Sequence, residues 1–150
     1  VLAAGIAATG ALILGRRSYD LGAQVNGFEH NPYHVPHIVL SHTLPATPAR
    51  GTTPFVFVAD GVASALQRAH QAAGERAVVI GGGANTAQQF LRAGLVDELH
   101  LHVIPKLVGQ GLRLFAERDE VALQLERIAV VAAPDATHLS FRVLTKGAAS

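Results

Sequence analysis

The apolar positions of this chain fall into short continuous runs separated by polar, glycine-rich or proline-rich stretches, the pattern of strands buried on both faces. Residues 11–15, "ALILG", are one such run, and the apolar opening before them reads as the end of a helix leading into this strand. "RRSYDLG" follows as a polar segment with room for one or two helical turns. Residues 22–36 hold glycines, asparagines and two prolines and predict a loop. "HIVLSH" (37–42) and "FVFVAD" (55–60) predict two further strands, joined by the loop "TLPATPARGTTP". Asp60 stands where its carboxylate would cap the next helix by accepting from the free amides of the first turn.

That helix, over 61–73, places Val62, Ala65, Leu66 and Ala69 on one stripe and stops at Gly74. "AVVI" (77–80) predicts a strand that runs through Gly81, Gly82 and Gly83 into a helix over 84–93, with Ala87, Phe90 and Leu91 inward and Gly94 as the stop. Strands alternating with helices argue for a largely parallel sheet with crossover helices. Three late runs, "ELHLHVIP", "VALQLERIAVVAAP" and "THLSFRVLTK", are joined by short turns, including Pro134-Asp135, and predict an antiparallel finish. The expected class is therefore α/β, with one domain for 150 residues.

Charge and composition narrow the partners. A net charge of +1, with 12 scattered Lys and Arg residues, provides no basic field for nucleic acid. With no cysteine, disulfides and thiolate metal sites are excluded, which suits a cytoplasmic setting. The apolar opening is interrupted by Gly5 and Gly10 and is shorter than the ~20 residues a membrane span requires, so no membrane partner is expected. The chain also has no methionine, from which we expect Val1 to follow an absent leading strand.

The glycine triplet carries the first candidate chemistry. A strand that ends in glycines and opens a helix offers free amides and the positive end of the helix dipole, with no Cβ to hold a phosphate away. A tight packing turn is the competing reading. Neither G-x-G-x-x-G nor the Lys-Ser/Thr of a P-loop is present. "LILGRRSYD" adds Gly15, Arg16, Arg17 and Ser18 at another strand end, where guanidinium groups could pair with phosphate oxygens or be solvated arginines.

Together "LILGRRSYD", "HIVLSH", "VVIGGGANTAQQFL" and "GLVDELHLHVIPKLVGQGLRLF" resemble, in order and over nearly the whole chain, the dihydrofolate reductase superfamily. The closer likeness is to its bacterial branch related to the C-terminal reductase domain of the bifunctional riboflavin biosynthesis deaminase-reductase. The resemblance implies a three-layer α/β sandwich around a mixed, mainly parallel eight-stranded sheet ending in an antiparallel hairpin, with NADPH as cofactor. It implies that Ile80, Gly81, Gly82, Gly83, Ala84, Asn85 and Thr86 surround the pyrophosphate, that Gly15, Arg16, Arg17 and Ser18 approach the phosphates from the other side, and that Ser41 and His42 lie near the adenosine 2′-phosphate. Ser-His there, without an arginine, leaves NADPH and NADH both open.

On the substrate side, His100 and His102 share a face of their strand, and the resemblance places position 102 beside the substrate. His102 could then donate a proton, or it could be a strand histidine with a backbone partner. His-x-His supplies only two metal ligands, with no third implied by spacing, so no metal is expected. Lys106 could meet a phosphorylated substrate or be an exposed lysine. The implied activity is reduction of a small heterocycle, similar to 5-amino-6-(5-phosphoribosylamino)uracil reductase. A pterin reductase and a nucleotide-binding protein without catalysis are the alternatives. A homodimer is expected, because the branch pairs through a sheet edge or late strands and "VALQLERIAVVAAP" needs covering.

Overall fold

The computed structural model describes residues 2–115 and 123–144. Val1, the outer residues 121–122 and 145–146 of the late runs, and the terminal "GAAS" lie outside the described residues. The chain divides into two compact units, Val1–Ala87 and Gln88–Ser150.

The first unit contains α1 (Leu2–Ala8), β1 (Thr9–Gly15), α2 (Arg16–Val25), β2 (His37–Leu40), β3 (Phe55–Val58), α3 (Val62–Ala73), β4 (Ala77–Gly82) and the start of α4 (Ala84–Arg92). Its four strands are all parallel, in the order β3-β2-β1-β4. Central β1 is buried on both faces, as its unbroken apolar run requires: Ala11, Leu12, Ile13 and Leu14 are all at most 6% exposed. Burying each such leucine or isoleucine contributes about 1.5–3 kcal/mol.

Leu12, Leu14 and Val39 pack with Tyr19 and Ala23 of α2, and Phe28, Phe55 and Phe57 surround them. The Tyr19 ring meets Phe28 in a stack, and Phe55 and Phe57 edge-on at 5.0 and 5.2 Å. Its hydroxyl accepts from the Ala49 N–H at 2.9 Å and donates to the Thr47 carbonyl at 3.4 Å. One aromatic side chain thus fixes both the core under α2 and the long loop between β2 and β3. Helix α3 packs on β1, β2 and β4. Small residues make this close approach possible: Ala65, Ala69 and Ala73 are buried, and a Cβ on Gly10 would lie 2.8 Å from Ala73.

The second unit contains β5 (Glu98–Val103), β6 (Gln124–Ala132) and β7 (Thr137–Leu144), an antiparallel sheet in the order β5-β7-β6. The Pro134-Asp135 turn joins β6 to β7, closed by the Ala133 N–H on the Ala136 carbonyl at 2.9 Å. Cross-strand pairing sets Glu98 opposite Arg142, His100 opposite Ser140 and His102 opposite His138. Leu99 and Leu101, paired with Phe141 and Leu139, occupy the other face.

Several expectations change. Asp60 is not a cap: the N-cap of α3 is Gly61, at φ 99°, and no side chain bonds to the first turn. Helix α2 continues through Gly22 to Val25, because its inner face buries Tyr19 and Ala23, and this outweighs the low helix propensity of glycine. Gly81 and Gly82 belong to β4, so only Gly83 separates strand from helix. Among the described residues the strands form a four-stranded parallel sheet and a three-stranded antiparallel one.

Candidate functional site

In the first unit two strand ends meet two helix starts. β1 ends at Gly15, which is the N-cap of α2 in extended conformation (φ −78°, ψ 158°) and provides no side-chain oxygen to the first turn. The amides of the first turn of α2 therefore have no side-chain cap, and they carry the positive end of the helix dipole. Beside it β4 ends at Gly82, and α4 begins at Ala84, with the Ala87 N–H already bonded to the Gly83 carbonyl at 3.1 Å. The Gly82-Gly83 peptide is cis.

The two helix starts lie close to each other. A Cβ on Gly82 would lie 3.1 Å from Ser18 Oγ, and one on Gly83 would lie 3.4 Å from it. A Cβ on Gly15 would run into Thr86 Oγ1. Glycine is required at 15 by this close approach, whereas at 82 and 83 it leaves backbone open beside a serine hydroxyl. Gly81, Gly83 and Asn85 are exposed, Ile80, Gly82 and Ala84 are half-buried, and Thr86 is buried. Gly15, Ser18, Gly82, Gly83 and Thr86 thus lie close together where β1 and β4 end.

Arg16 is held by polar groups on α2 and in the turn after β2. Its Nε donates to Asp20 Oδ1 at 2.8 Å, and its Nη1 to Ser41 Oγ, the Thr43 carbonyl and Thr43 Oγ1 at 3.0, 2.9 and 3.0 Å. Ser41 in turn donates to the Thr43 carbonyl at 2.6 Å. The guanidinium therefore holds the turn where the chain leaves β2, and brings Ser41 to the start of α2. Arg17 and His42 are exposed.

In the second unit His102 Nδ1 and His138 Nδ1 lie 2.7 Å apart, with ring centroids at 4.8 Å. Loss of water around the ring, followed by repulsion from His138 and His100, lowers the proton affinity of His102 below that of an ordinary histidine. Neighbouring His100 is held by Glu98 Oε2 and Ser140 Oγ, each at 3.1 Å. Sequence reasoning missed His138 and Ser140. The alternation "THLSFR" shows that they share a face, but only the β5-β7 register shows which residues they meet. Lys106 is exposed, in a segment where Leu107, Val108 and Leu112 are exposed too. Among the described residues no cluster of three His, Asp or Glu side chains is placed to hold a metal ion, and no helix is long and apolar enough to cross a membrane.

Comparison with known families gives this arrangement a context. Residues 7–139 match the RibD C-terminal domain. The chain belongs to the RibD C-terminal domain family. Its fold is similar to that of a Shewanella sp. PV-4 protein provisionally described as a riboflavin biosynthesis protein, with 26% identity, 95% of this chain and 78% of the other covered, and a TM-score of 0.78. It is also similar to a Thermotoga maritima diaminohydroxyphosphoribosylaminopyrimidine deaminase/5-amino-6-(5-phosphoribosylamino)uracil reductase, at 11% identity and a TM-score of 0.64. That alignment covers 91% of this chain and 46% of the relative, so the chain spans less than half of that protein's length. A dihydrofolate reductase from Enterococcus faecalis, solved with NADP(H), aligns over 89% of this chain and 73% of its own at 20% identity and a TM-score of 0.57. The RibD C-terminal fold of this chain is thus dihydrofolate reductase-like and α/β. No curated protein matches the chain significantly.

Proposed function

We propose that this chain is an NADPH-dependent reductase of a small heterocyclic substrate, of the kind named for the Thermotoga relative, 5-amino-6-(5-phosphoribosylamino)uracil reductase. The observation that carries this reading is the pairing of two helix starts, α2 behind Gly15 with no side-chain cap on its first turn and α4 behind Gly83, with Ser18 beside Gly82 and Gly83. A dinucleotide pyrophosphate needs many donors and close backbone approach more than it needs a particular cation. The residues present fit that group: Gly82, Gly83, Ala84 and Asn85 on one side, Gly15, Arg17 and Ser18 on the other. Ser41, held by Arg16, and His42 would face the adenosine end.

When bound, the cofactor supplies the hydride. The chain's own work is to bind, to orient and to provide a proton. His102 is the residue we assign to the proton, since an imidazole exchanges one near neutral pH, and Lys106 is the residue we assign to a charged substituent of the substrate. We also propose that the protein works in the cytoplasm as a homodimer paired through β6. That edge strand is exposed along its whole length, with Leu125, Ile128, Val130 and Val131 between 42% and 52% exposed.

Calorimetric titration with NADPH and NADH in parallel tests the reading, followed by cofactor oxidation with the phosphoribosylamino-uracil substrate. Binding of NADPH and turnover are the expected result. Absence of binding for both nucleotides would return the glycines to the role of a packing turn. Binding without turnover of that substrate or of a pterin would leave a nucleotide-binding protein.

A further inference from the structure

The sequence holds three asparagines, and the residue after each decides whether its carboxamide can be attacked from the backbone. Asn31 precedes Pro32, which has no N–H, and Asn85 precedes β-branched Thr86, which is buried in α4. Asn26 precedes Gly27, whose amide nitrogen has no side chain to shield it. In such a pair the Gly27 nitrogen can close on Asn26 Cγ, forming an N–Cγ bond and releasing the carboxamide nitrogen as ammonia. Water then opens the cyclic imide. Opening at Cγ leaves an aspartate, and opening at the α-carbonyl leaves an isoaspartate with Cβ and Cγ in the backbone. No electron is transferred, and water is the sole co-reactant.

The structure primes one half of this reaction and restrains the other. Asn26 is exposed and is the C-cap of α2. The Phe28 N–H donates to its Oδ1 at 3.0 Å, so a backbone donor already faces the oxygen on which negative charge develops when Cγ is attacked. Gly27 is buried, and its N–H donates to the Gly22 carbonyl at 3.0 Å, while the Glu29 N–H donates to the Asn26 carbonyl at 3.2 Å. Both ends of the Asn26-Gly27 peptide are therefore tied. At ψ 6° of Asn26 the Gly27 nitrogen is turned away from Cβ, and ring closure requires that peptide to rotate and break both bonds. The Gly27 carbonyl, in the next peptide, accepts from the Arg50 and Gly51 N–H groups at 2.9 and 3.0 Å. The lock thus combines the last turn of α2 with the loop between β2 and β3, and helix ends open more readily than helix centres.

We propose that Asn26-Gly27 is a self-modification site gated by the end of α2: it reacts when the Gly27 N–H leaves the Gly22 carbonyl, and it keeps a permanent record of that opening. Neither product restores the native turn. An isoaspartate lengthens the backbone by a methylene between the two tied groups, and an aspartate sets a negative charge against the negative end of the α2 dipole. This goes beyond the cofactor reading and uses none of the residues assigned to the nucleotide.

The test incubates the full chain at constant pH and temperature, folded and in urea that unfolds it, and follows conversion at each asparagine by peptide mapping and mass spectrometry. In urea Asn26 is expected to convert fastest of the three. In the folded chain its conversion is expected to be at least about tenfold slower, because two bonds must open first. Hydrogen exchange of the Gly27 amide sets a floor for that slowing, since exchange needs one of the two bonds to open and ring closure needs both. Gly51→Ala, whose Cβ would lie 2.6 Å from the Phe28 carbonyl oxygen, is expected to speed conversion in the folded state. Equal rates in the folded and unfolded chain, or a slowing smaller than the protection of the Gly27 amide, would overturn the gate. An unfolded chain in which Asn26 converts no faster than Asn85, or a folded chain that never converts, would overturn the site, and these four readings need only the unaltered protein.

Discussion

Arg16 Nη1 lies 3.0 Å from Ser41 Oγ and 2.9 Å from the Thr43 carbonyl, so the first residue of α2 anchors the chain where it leaves β2. Its side chain is 29% exposed, and its ion pair with Asp20 is only part of the bond set. Arg16→Ala is expected to destabilise the fold by about 1–2 kcal/mol, since partial exposure weakens each charged hydrogen bond. Urea unfolding measures this. Arg16→Lys should recover little, because one ammonium cannot reproduce a fork aimed at Asp20 on one side and at Ser41 and Thr43 on the other. A lysine variant as stable as the parent would show that charge alone matters.

Gly15 and Gly82 should separate in their consequences. At Gly15 the backbone dihedrals suit any residue, but a Cβ would run into Thr86 Oγ1, so Gly15→Ala is expected to cost about 1–3 kcal/mol as overpacking. At Gly82 the added carbon meets only the side chain of Ser18, with Oγ 3.1 Å away. Gly82→Val should keep the fold while weakening NADPH at least about tenfold, or ~1.4 kcal/mol, by blocking backbone approach. Circular dichroism with calorimetric titration distinguishes the two, and unchanged NADPH affinity in folded Gly82→Val would remove this glycine from the cradle.

These pairs show what was legible in the chain. The run Ala11 to Leu14 announced a buried strand because β1 is central, and the stripe of Ala65 and Ala69 announced α3 because a helix facing a sheet needs one apolar side. Helix caps were less legible: Asp60 has the right chemistry, yet Gly61 adopts φ 99° and takes the cap position. The hydrogen bonds of Arg16 could not be read from motif order. Its partners Ser41 and Thr43 lie 25 and 27 residues away, and which acceptors a guanidinium finds is decided by how the loop after β2 folds back. His138 was hidden for the same reason: its meeting with His102 depends on a strand register set 36 residues apart.

His37 makes stability depend on pH. It is 1% exposed, and its Nδ1 lies 2.7 Å from the Val35 carbonyl, which can only accept, so Nδ1 carries the proton and Nε2 accepts from Asn31 Nδ2 at 3.0 Å. Burial lowers its affinity for a second proton below the ordinary value of 6.5, against the opposing pull of the Val35 carbonyl. Below 6.5 the unfolded chain therefore binds more protons at this residue than the folded one. The stabilisation is complete above 6.5 and is lost as pH falls from there toward the lowered folded value. Urea midpoints between about pH 5 and 8 should fall on the acid side for the parent and less steeply for His37→Phe, which also keeps the edge contacts with Phe28 and Phe55. Identical slopes would assign the pH dependence to other groups.

The exposed edge of β6 makes a prediction about assembly. Nine residues of extended backbone, with Val130 52% and Ile128 45% exposed, offer unpaired amides and carbonyls to another strand. A second copy of the same strand is the simplest complement, since antiparallel pairing across a two-fold axis is satisfied by identical partners. The chain is then expected to sediment as a dimer at micromolar concentration. Val130→Lys puts two like charges near the axis of such a pair and should give a monomer. A surface substitution on an edge strand changes stability by no more than about 0.5 kcal/mol, so the variant should unfold at the same urea concentration when dilution has already separated the parent. A parent that sediments as a monomer would show that β6 stays open, and a dimeric Val130→Lys would place the contact elsewhere on the chain.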